Sequence, residues 1–570
     1  MKKKVASPPI QFTIHQNTHL IWCYLLFMTS SKKMPIEYRH KSNDPSRLPK
    51  AFDRIDEYLA YGAEHFPEKA AFFCEDQVVS YSSAQLAVNT ISKALLAAGV
   101  KRGARVALLD QPGPDFFLVF LATVSIGAVW VGLNPKYSKR ELTHPLRDSM
   151  PTLVFCRTQI DGRDYAQELS AILDEAHLSS QIISLPDAAG EVVNSSWSDF
   201  LERGEKIAAT FLNQVRAAVA STDSCLIVYT SGTSGSPKGA MLNHQGLIYC
   251  GRTEAKYSTE ADARIVLCNF PINHIACVGD VCCNTLVGGG SIVFMRDFDP
   301  KGILKEIEKR RITSLGQIPA MLQMTFPGEP PKDVDLSSLK TIIWGGNPAP
   351  LDLVRRLRKI CPNLGNVYGM TETTGNVIFL RGEGYDDETL AYTVGWPPPE
   401  YEVNLFNSDG LETLDGEVGE IYVRGSFLMQ SYWRQPAATA AAFTKDGWLK
   451  TGDLAKRRKD GAFIIVGRRS EMFKSGGYNI YPAEVEKALE SHSAVAMAAV
   501  IGIPDPLYAE VGKAYIIASD PTLDEGAIRA YAKTVLANYK VPKSFHIVEN
   551  LPMLANGKID KYTLKTKAES

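Results

Sequence analysis

Apolar and polar positions alternate along most of this chain so as to set short buried strands against amphipathic helices. Ile55, Leu59 and Ala63 recur at helical spacing. Ala70-Ala-Phe-Phe-Cys74 and Val78-Val79 read as two strands paired about a Glu75-Asp76 turn. Ser82 to Leu96 predicts a helix, with Ser82 or Ser83 as its N-cap and Gly99 past its end. Arg105-Val-Ala-Leu-Leu109 reads as a buried strand, Asp115 to Gly127 as a strongly apolar helix, and Val129-Trp-Val131 as the next strand. Such alternation is βαβ logic and predicts a largely parallel sheet with helices on its faces.

The stretch from Thr158 to Val219 is polar and weakly periodic, and reads as surface-built. Cys225-Leu-Ile-Val-Tyr229 is a strand, and Met241 to Cys250 could begin a helix. Further strands are predicted at Arg264–Cys268, Ser291–Phe294 and Leu339–Trp344, the last ending at Gly345-Gly346, with an amphipathic helix at Lys301–Arg310. From about Val403 strand follows strand, including Glu420–Val423 and Ala462–Val466, which predicts a β-rich subdomain. After Gly467 the pattern changes again: Pro482–Leu489 and Leu523–Leu536 read as helices, and Val495–Ile501, Ala514–Ala518 and Phe545–Val548 as strands. The expected organisation is an uncharacterised extension at 1–34, a large α/β domain at 35–467 carrying a β-rich subdomain, and a small mobile α+β domain at 468–570.

Composition narrows the class. With 570 residues the chain is too long for one core. A formal net charge of -1 and the absence of a long basic block argue against nucleic acid as a partner. The ten cysteines form no Cys-x-x-Cys pair and no ligand-like spacing with His, so they read as reduced thiols of a cytoplasmic enzyme. Lys2-Lys3-Lys4 precedes an apolar run from Leu20 to Met28 that is too short to span a bilayer, which takes about 20 residues. An upstream start codon, with the protein proper beginning at Met28 or Met34, is favoured over targeting or anchoring, and no membrane partner is assigned. The final Ala-Glu-Ser carries no peroxisomal address, and oligomeric state is not legible.

Candidate chemistry begins at Tyr229-Thr-Ser-Gly-Thr-Ser-Gly-Ser-Pro-Lys-Gly-Ala240. Glycines, hydroxyls and one lysine after a strand can present amide N–H groups and positive charge to phosphate oxygens. It is not a Walker A loop, since Lys238 is followed by Gly239 and Ala240. Four more clusters follow: Asn366-Val-Tyr-Gly-Met-Thr-Glu372, Trp448-Leu-Lys-Thr-Gly-Asp453, Val466-Gly-Arg-Arg-Ser-Glu471 and Asn556-Gly-Lys558. Singly, each has an ordinary structural explanation; together, in this order, they do not arise by chance.

The set resembles the adenylate-forming (AMP-binding) superfamily, in its acyl- and aryl-CoA synthetase branch, over about Phe52 to Lys561. The family's Ser/Thr/Gly-rich loop matches Ser231–Gly239, its Tyr-Gly-x-Thr-Glu motif Tyr368–Glu372, its Thr-Gly-Asp Thr451–Asp453, its Gly-Arg pair Gly467-Arg468, and its C-terminal Gly-Lys Gly557-Lys558. The resemblance implies an ATP-dependent acid–CoA ligase that forms acyl-AMP and pyrophosphate and then passes the acyl group to the CoA thiol. Its partners would be ATP, coenzyme A and a small carboxylic acid. It implies that Thr230, Ser231, Gly232, Thr233, Ser234, Gly235 and Lys238 hold the β- and γ-phosphates. Thr371 would donate to the α-phosphate, and Glu372 would hold Mg2+. Tyr368 would stack on adenine, Asn366 would bond its exocyclic amine, and Gly346 and Gly369 would border the nucleotide. Asp453, assisted by Arg468, would take the ribose hydroxyls, and Lys558 would bridge the attacking carboxylate and the α-phosphate. In the thioester step Lys474, Gly476 and Gly477 would meet the pantetheine arm after rotation about Ser470, where the family more often has Asp or Lys.

His274 would border the acyl pocket, although Asn273 stands where many relatives are aromatic. The pocket would be lined by 273–280, 344–347 and 373–377, and a medium, cyclic or aromatic acid is favoured. Two alternatives stay open: an adenylating enzyme that loads a separate carrier protein, and a non-catalytic nucleotide-binding protein on the same fold.

Overall fold

The computed structural model describes residues 48–186, 196–230, 237–258, 264–382, 384–553 and 559–569. Two mixed sheets with parallel centres form the large part of the molecule. One runs in the order Gly375–Gly382, Leu364–Met370, Thr341–Gly345, Ser314–Gln317, Ile265–Cys268, Ser291–Phe294, Ala70–Cys74, Gln77–Ser80. The other runs Ser431–Tyr432, Lys238–Asn243, Ser224–Thr230, Val129–Leu133, Arg105–Leu109, Leu153–Cys156, Gln181–Ser184. Neighbours in the middle of each are parallel, and an antiparallel hairpin closes an edge of each.

The helix Pro114–Ser125 is buried along nearly its whole length, as its apolar sequence requires, and Phe116, Phe117 and Phe120 pack it against Phe72, Trp130 and Phe294. A four-stranded antiparallel sheet follows, Glu402–Phe406, Val418–Arg424, Leu449–Arg457, Phe463–Arg468. The last unit has its own sheet, in which Ala509–Ala518 pairs with Val495–Asp505, Phe473–Ser475 and Ser544–Ile547, and its own core around Phe473, Val485, Ile516 and Phe545. Lys487 of this unit sits over the ring of Tyr392, 3.9 Å from its centroid.

Three expectations need correction. The N-cap of the helix Tyr81–Ala97 is Ser80, whose hydroxyl accepts from the Ser83 amide. The stretch from Thr158 to Val219 is not merely surface. Tyr165, Leu169 and Ile172 bury one side of the helix Tyr165–Glu175, Gln181–Ser184 joins a main sheet, and Trp197 and Phe200 fill the core beneath Phe155. Its charged residues lie on the outer faces of short elements and dilute the periodic signal. The chain after the glycine-rich stretch does not begin a helix at Met241. It runs back as the strand Lys238–Asn243, and the helix starts at His244, capped by Asn243 Oδ1 accepting from the Gly246 amide.

Candidate active site

The glycine-rich stretch joins two strands in antiparallel register, with Thr230 opposite Lys238 and Tyr229 opposite Gly239. Ser231, Gly232, Thr233, Ser234 and Gly235 lie outside the described residues. The hairpin itself fixes what flanks them. Pro237 O accepts from His144 Nε2 at 2.8 Å, and Lys238 Nζ lies 5.2 Å from the centre of the Tyr432 ring. Tyr432 stands on the short strand that pairs with Ala240 and Met241. Its hydroxyl donates to Glu372 Oε1 at 2.8 Å. A lysine, a phenol and a carboxylate thus connect the hairpin to the Thr-Glu motif.

That motif follows the strand Leu364–Met370 as a tight turn, Thr371–Thr373. Thr373 Oγ1 accepts from the Met370 amide and donates to the carbonyls of Met370 and Gly375, holding the turn closed. Thr374 then takes a left-handed conformation, φ 59°, which carries the chain into Gly375. Thr371 and Glu372 are buried. Burial raises the Glu372 pKa, and the Tyr432 hydrogen bond opposes the rise. Asn366 is buried on the strand, its Nδ2 donating to Thr393 O at 2.9 Å, which leaves Oδ1 as its side-chain acceptor. Gly346 (φ 82°) ends the neighbouring strand on its exposed side, and Gly369 lies so close to Gly375 that a Cβ there would come within 2.2 Å of Gly375 O.

Asp453 is the centre of a second group. Its Oδ2 accepts from Tyr368 Oη at 2.7 Å and its Oδ1 from Arg468 Nε at 2.9 Å, while its amide donates to Thr451 Oγ1. Arg468 faces it across the pair of strands Leu449–Arg457 and Phe463–Arg468. Asp453 raises the Arg468 pKa and, after burial, the Tyr368 pKa. Side chains separated by 85 residues in sequence are therefore one hydrogen-bonded unit.

Residues 276–283 form a π-helix, Ala276–Cys283, in the connection between the adjacent strands Ile265–Cys268 and Ser291–Phe294. His274 precedes it, and its Nδ1 accepts from the Ala276 amide at 3.1 Å, so the neutral ring carries its hydrogen on Nε2. Asn273 Nδ2 donates to Tyr137 Oη at 3.0 Å. The buried side of the π-helix brings Cys277 Sγ and Cys282 Sγ to 3.5 and 3.9 Å from Cys268 Sγ. Sequence spacing had suggested no such grouping, because the fold assembles it from a strand end and a helix turn of non-standard period. Burial raises the pKa of Cys277 and Cys282, so these thiols pack as neutral, polarisable groups.

Lys474, Gly476 and Gly477 are exposed at the tip of the hairpin Phe473–Ser475/Tyr478–Ile480, both glycines with positive φ (56° and 85°). Ser470 lies in the turn that follows Arg468. One residue on, Glu471 pairs with Lys561 at 2.6 Å, and Lys561 also reaches Glu486 at 2.8 Å. Lys558 lies outside the described residues.

The AMP-binding enzyme family model matches residues 59–433, and the AMP-binding enzyme C-terminal domain model matches 484–558. The chain belongs to the AMP-binding enzyme family. Feruloyl-CoA synthase from an Amycolatopsis species is 34% identical, covering 85% of this chain and 92% of its own. A Mycobacterium tuberculosis 3-[(3aS,4S,7aS)-7a-methyl-1,5-dioxo-octahydro-1H-inden-4-yl]propanoyl:CoA ligase is 34% identical over 92% of this chain and 99% of its own. Among solved structures, the o-succinylbenzoate CoA synthetase of Bacillus subtilis with its acyl-adenylate intermediate superposes with a TM-score of 0.74 at 27% identity, covering 89% of this chain and 97% of that one.

Within this family member, the sequence motifs singled out Tyr368, Glu372, Asp453 and Arg468, which the fold gathers into hydrogen-bonded groups, but not Tyr432 and Tyr137, which bond Glu372 and Asn273. Both are ordinary aromatics in sequence, and only the fold sets their hydroxyls on Glu372 and Asn273. Among the described residues no helix is long and apolar enough to cross a membrane.

Proposed function

We propose that the residues gathered here run a two-step ligation of a cyclic or aromatic carboxylic acid. The chain is an ATP-dependent, AMP-forming acid–CoA ligase. In the first step a carboxylate oxygen attacks the α-phosphorus and pyrophosphate leaves. In the second the CoA sulfur attacks the acyl carbon, its proton is lost, and AMP leaves. The observation that carries the assignment of roles is the Asp453 unit. A buried carboxylate held by a phenol and a guanidinium is preorganised to accept the two ribose hydroxyls, with the Tyr368 ring beside it for adenine.

Thr371, in the closed turn, then meets the α-phosphate, while Thr230, Lys238 and residues 231–235 hold the outer phosphates. Glu372 fits a hard dication, since burial disfavours its charge and a cation would offset that cost. Mg2+, when bound there, would neutralise phosphate charge. Lys558 draws the acid's carboxylate to the α-phosphate, and His274 borders the acyl group. A division at 467/468 makes the last unit the moving one, with Ser470 as pivot and Lys474, Gly476 and Gly477 along the path of the pantetheine arm. The cyclic or aromatic class is supported by the acids named for the relatives, a feruloyl group and a fused bicyclic propanoate. Pyrophosphate exchange and CoA-thioester formation over short, long, cyclic and aromatic acids test the reading. Exchange without thioester would point instead to a carrier protein as acceptor, and bound nucleotide without exchange to a non-catalytic role.

A further inference from the structure

Five strands that lie side by side in the first main sheet each bring a polar residue to one edge of it. In sheet order these are Arg381 on Gly375–Gly382, Asn363 just before Leu364–Met370, Thr341 opening Thr341–Gly345, Ser314 opening Ser314–Gln317, and Arg264 just before Ile265–Cys268. Arg381 reaches this edge because its strand runs antiparallel, with Arg381 opposite Gly365. It is the edge at which the parallel strands begin. Gly345 and the Thr371–Thr373 turn lie at the other, where those strands end. All five residues line a cavity of about 160 Å³, to which Tyr257 is added from the end of the helix His244–Tyr257. Arg264, Ser314, Thr341 and Asn363 are buried, and Asn363 Nδ2 donates to Thr341 Oγ1 at 3.1 Å. Among the described residues lining the cavity, the two arginines carry the only charges.

Both guanidiniums meet the same carboxylate oxygen. Arg381 Nη1 lies 2.7 Å and Arg264 Nη1 3.3 Å from Glu254 Oε1. Glu254 is buried on the helix and does not itself line the cavity. Burial raises its pKa, but Arg381 and Arg264 outweigh that and bring it below the ordinary value, so the carboxylate is ionised at neutral pH. Over these three side chains one positive charge is left over. Asp280 also feels both arginines, yet burial pushes its carboxyl up to about 7, with Glu254 adding to the rise, so it offsets that charge only in part. We propose that the cavity is a second, non-catalytic binding site, and that its ligand is a free tetrahedral oxyanion, inorganic phosphate, held between Arg264 and Arg381. A guanidinium carries five N–H donors, so one oxygen of Glu254 leaves Arg381 others to offer. Tetrahedral oxygens can meet two guanidinium forks and the Ser314 hydroxyl together, whereas a planar carboxylate is matched by a single fork. The volume lies below the roughly 300–1,000 Å³ usual for organic ligands, which favours the bare ion over a nucleotide. The site stands independently of the ligase reading, since it lies at the opposite edge of the sheet from the Thr-Glu turn.

The test is equilibrium dialysis of the full chain against labelled inorganic phosphate, with Mg2+ and saturating α,β-methylene-ATP present to fill the nucleotide site. One phosphate per chain is expected, saturating below about 10 mM. Sulfate should compete, and acetate at the same concentration should not. Arg381→Met leaves the Arg264–Glu254 pair in place and should weaken phosphate binding by about 10- to 100-fold. Arg381→Lys keeps the charge but loses the fork, and should recover part of that loss. Ser314→Ala changes no charge and should weaken binding by about 2- to 10-fold. Equal affinity of all three variants for the ATP analogue shows that they fold and that the effect lies outside the nucleotide site. Four results would each overturn the proposal: no saturation below about 10 mM, phosphate binding abolished by the analogue, acetate competing as well as sulfate, or affinity unchanged in both Arg381→Met and Ser314→Ala.

Discussion

The wall proposed to face the nucleotide and the wall proposed to face the acid are built on opposite plans. On the nucleotide side each charged or polar group is tied to another from a distant part of the chain: Tyr368 and Arg468 to Asp453, Tyr432 to Glu372. On the side proposed for the acid, the π-helix Ala276–Cys283 packs Cys277 and Cys282 against Cys268. The first arrangement holds donors and acceptors in place before substrate arrives, which suits a partner of fixed shape and charge. The second is backed by soft, polarisable thiols, which suits a partner of variable shape. The reaction is common to many acids; the choice of acid is local.

Substitutions should separate the two walls, and the largest effect belongs to neither. Lys558→Ala should lower acyl-adenylate formation by about 10²- to 10³-fold. Thioester formation from supplied acyl-AMP should be spared, and equal loss of both half-reactions would remove the lysine from the first step. On the nucleotide wall, Asp453→Ala should raise KM for ATP by roughly 100-fold, because it removes the carboxylate and leaves Arg468 and Tyr368 without their acceptor. An unchanged ATP dependence would dissolve the contrast between the walls.

Tyr432→Phe deletes only the hydroxyl on Glu372, and about a 10-fold fall in adenylation is expected. If added Mg2+ shifts this variant no differently from wild type, the link between Tyr432 and the metal carboxylate is not functional. The smallest effect lies on the acid wall and concerns stability. The folded pKa of Asp280 is about 7, above its ordinary value of about 4, so the folded chain holds this proton more tightly than the unfolded one. The stability it contributes is complete at low pH and is lost as pH rises through 7, with Glu254 repelling the new charge and Arg381 and Arg264 attracting it. Asp280→Asn has no proton to lose. It should melt roughly 2–4 °C higher than wild type at pH 8 and together with it near pH 4; parallel melting curves at both pH values would contradict the assignment.

The parts of the molecule that were legible in the sequence are those written by local rules. The all-apolar helix Pro114–Ser125 and the strands beside it follow from runs of Phe, Leu and Val. The motifs around Tyr368 and Asp453 were visible as motifs, yet nothing in either segment says that a phenol in one bonds a carboxylate in the other. The hairpin at Lys238–Asn243 was hidden because its residues suit a helix about as well as a strand, and its pairing with Ser224–Thr230 decided the matter. The thiol cluster needed a helix of non-standard period, which no 3.6-residue pattern reveals.

The pairing of Lys561 with Glu471 and Glu486 has a mechanical consequence. Glu471 is the first residue past Ser470, and Lys561 comes three residues after Lys558. The two ends of the last unit are thereby fastened to each other, like a key whose bow and bit are one piece of metal. If the chain turns at Ser470 as proposed, Lys561 would be carried round together with Glu471 and Glu486.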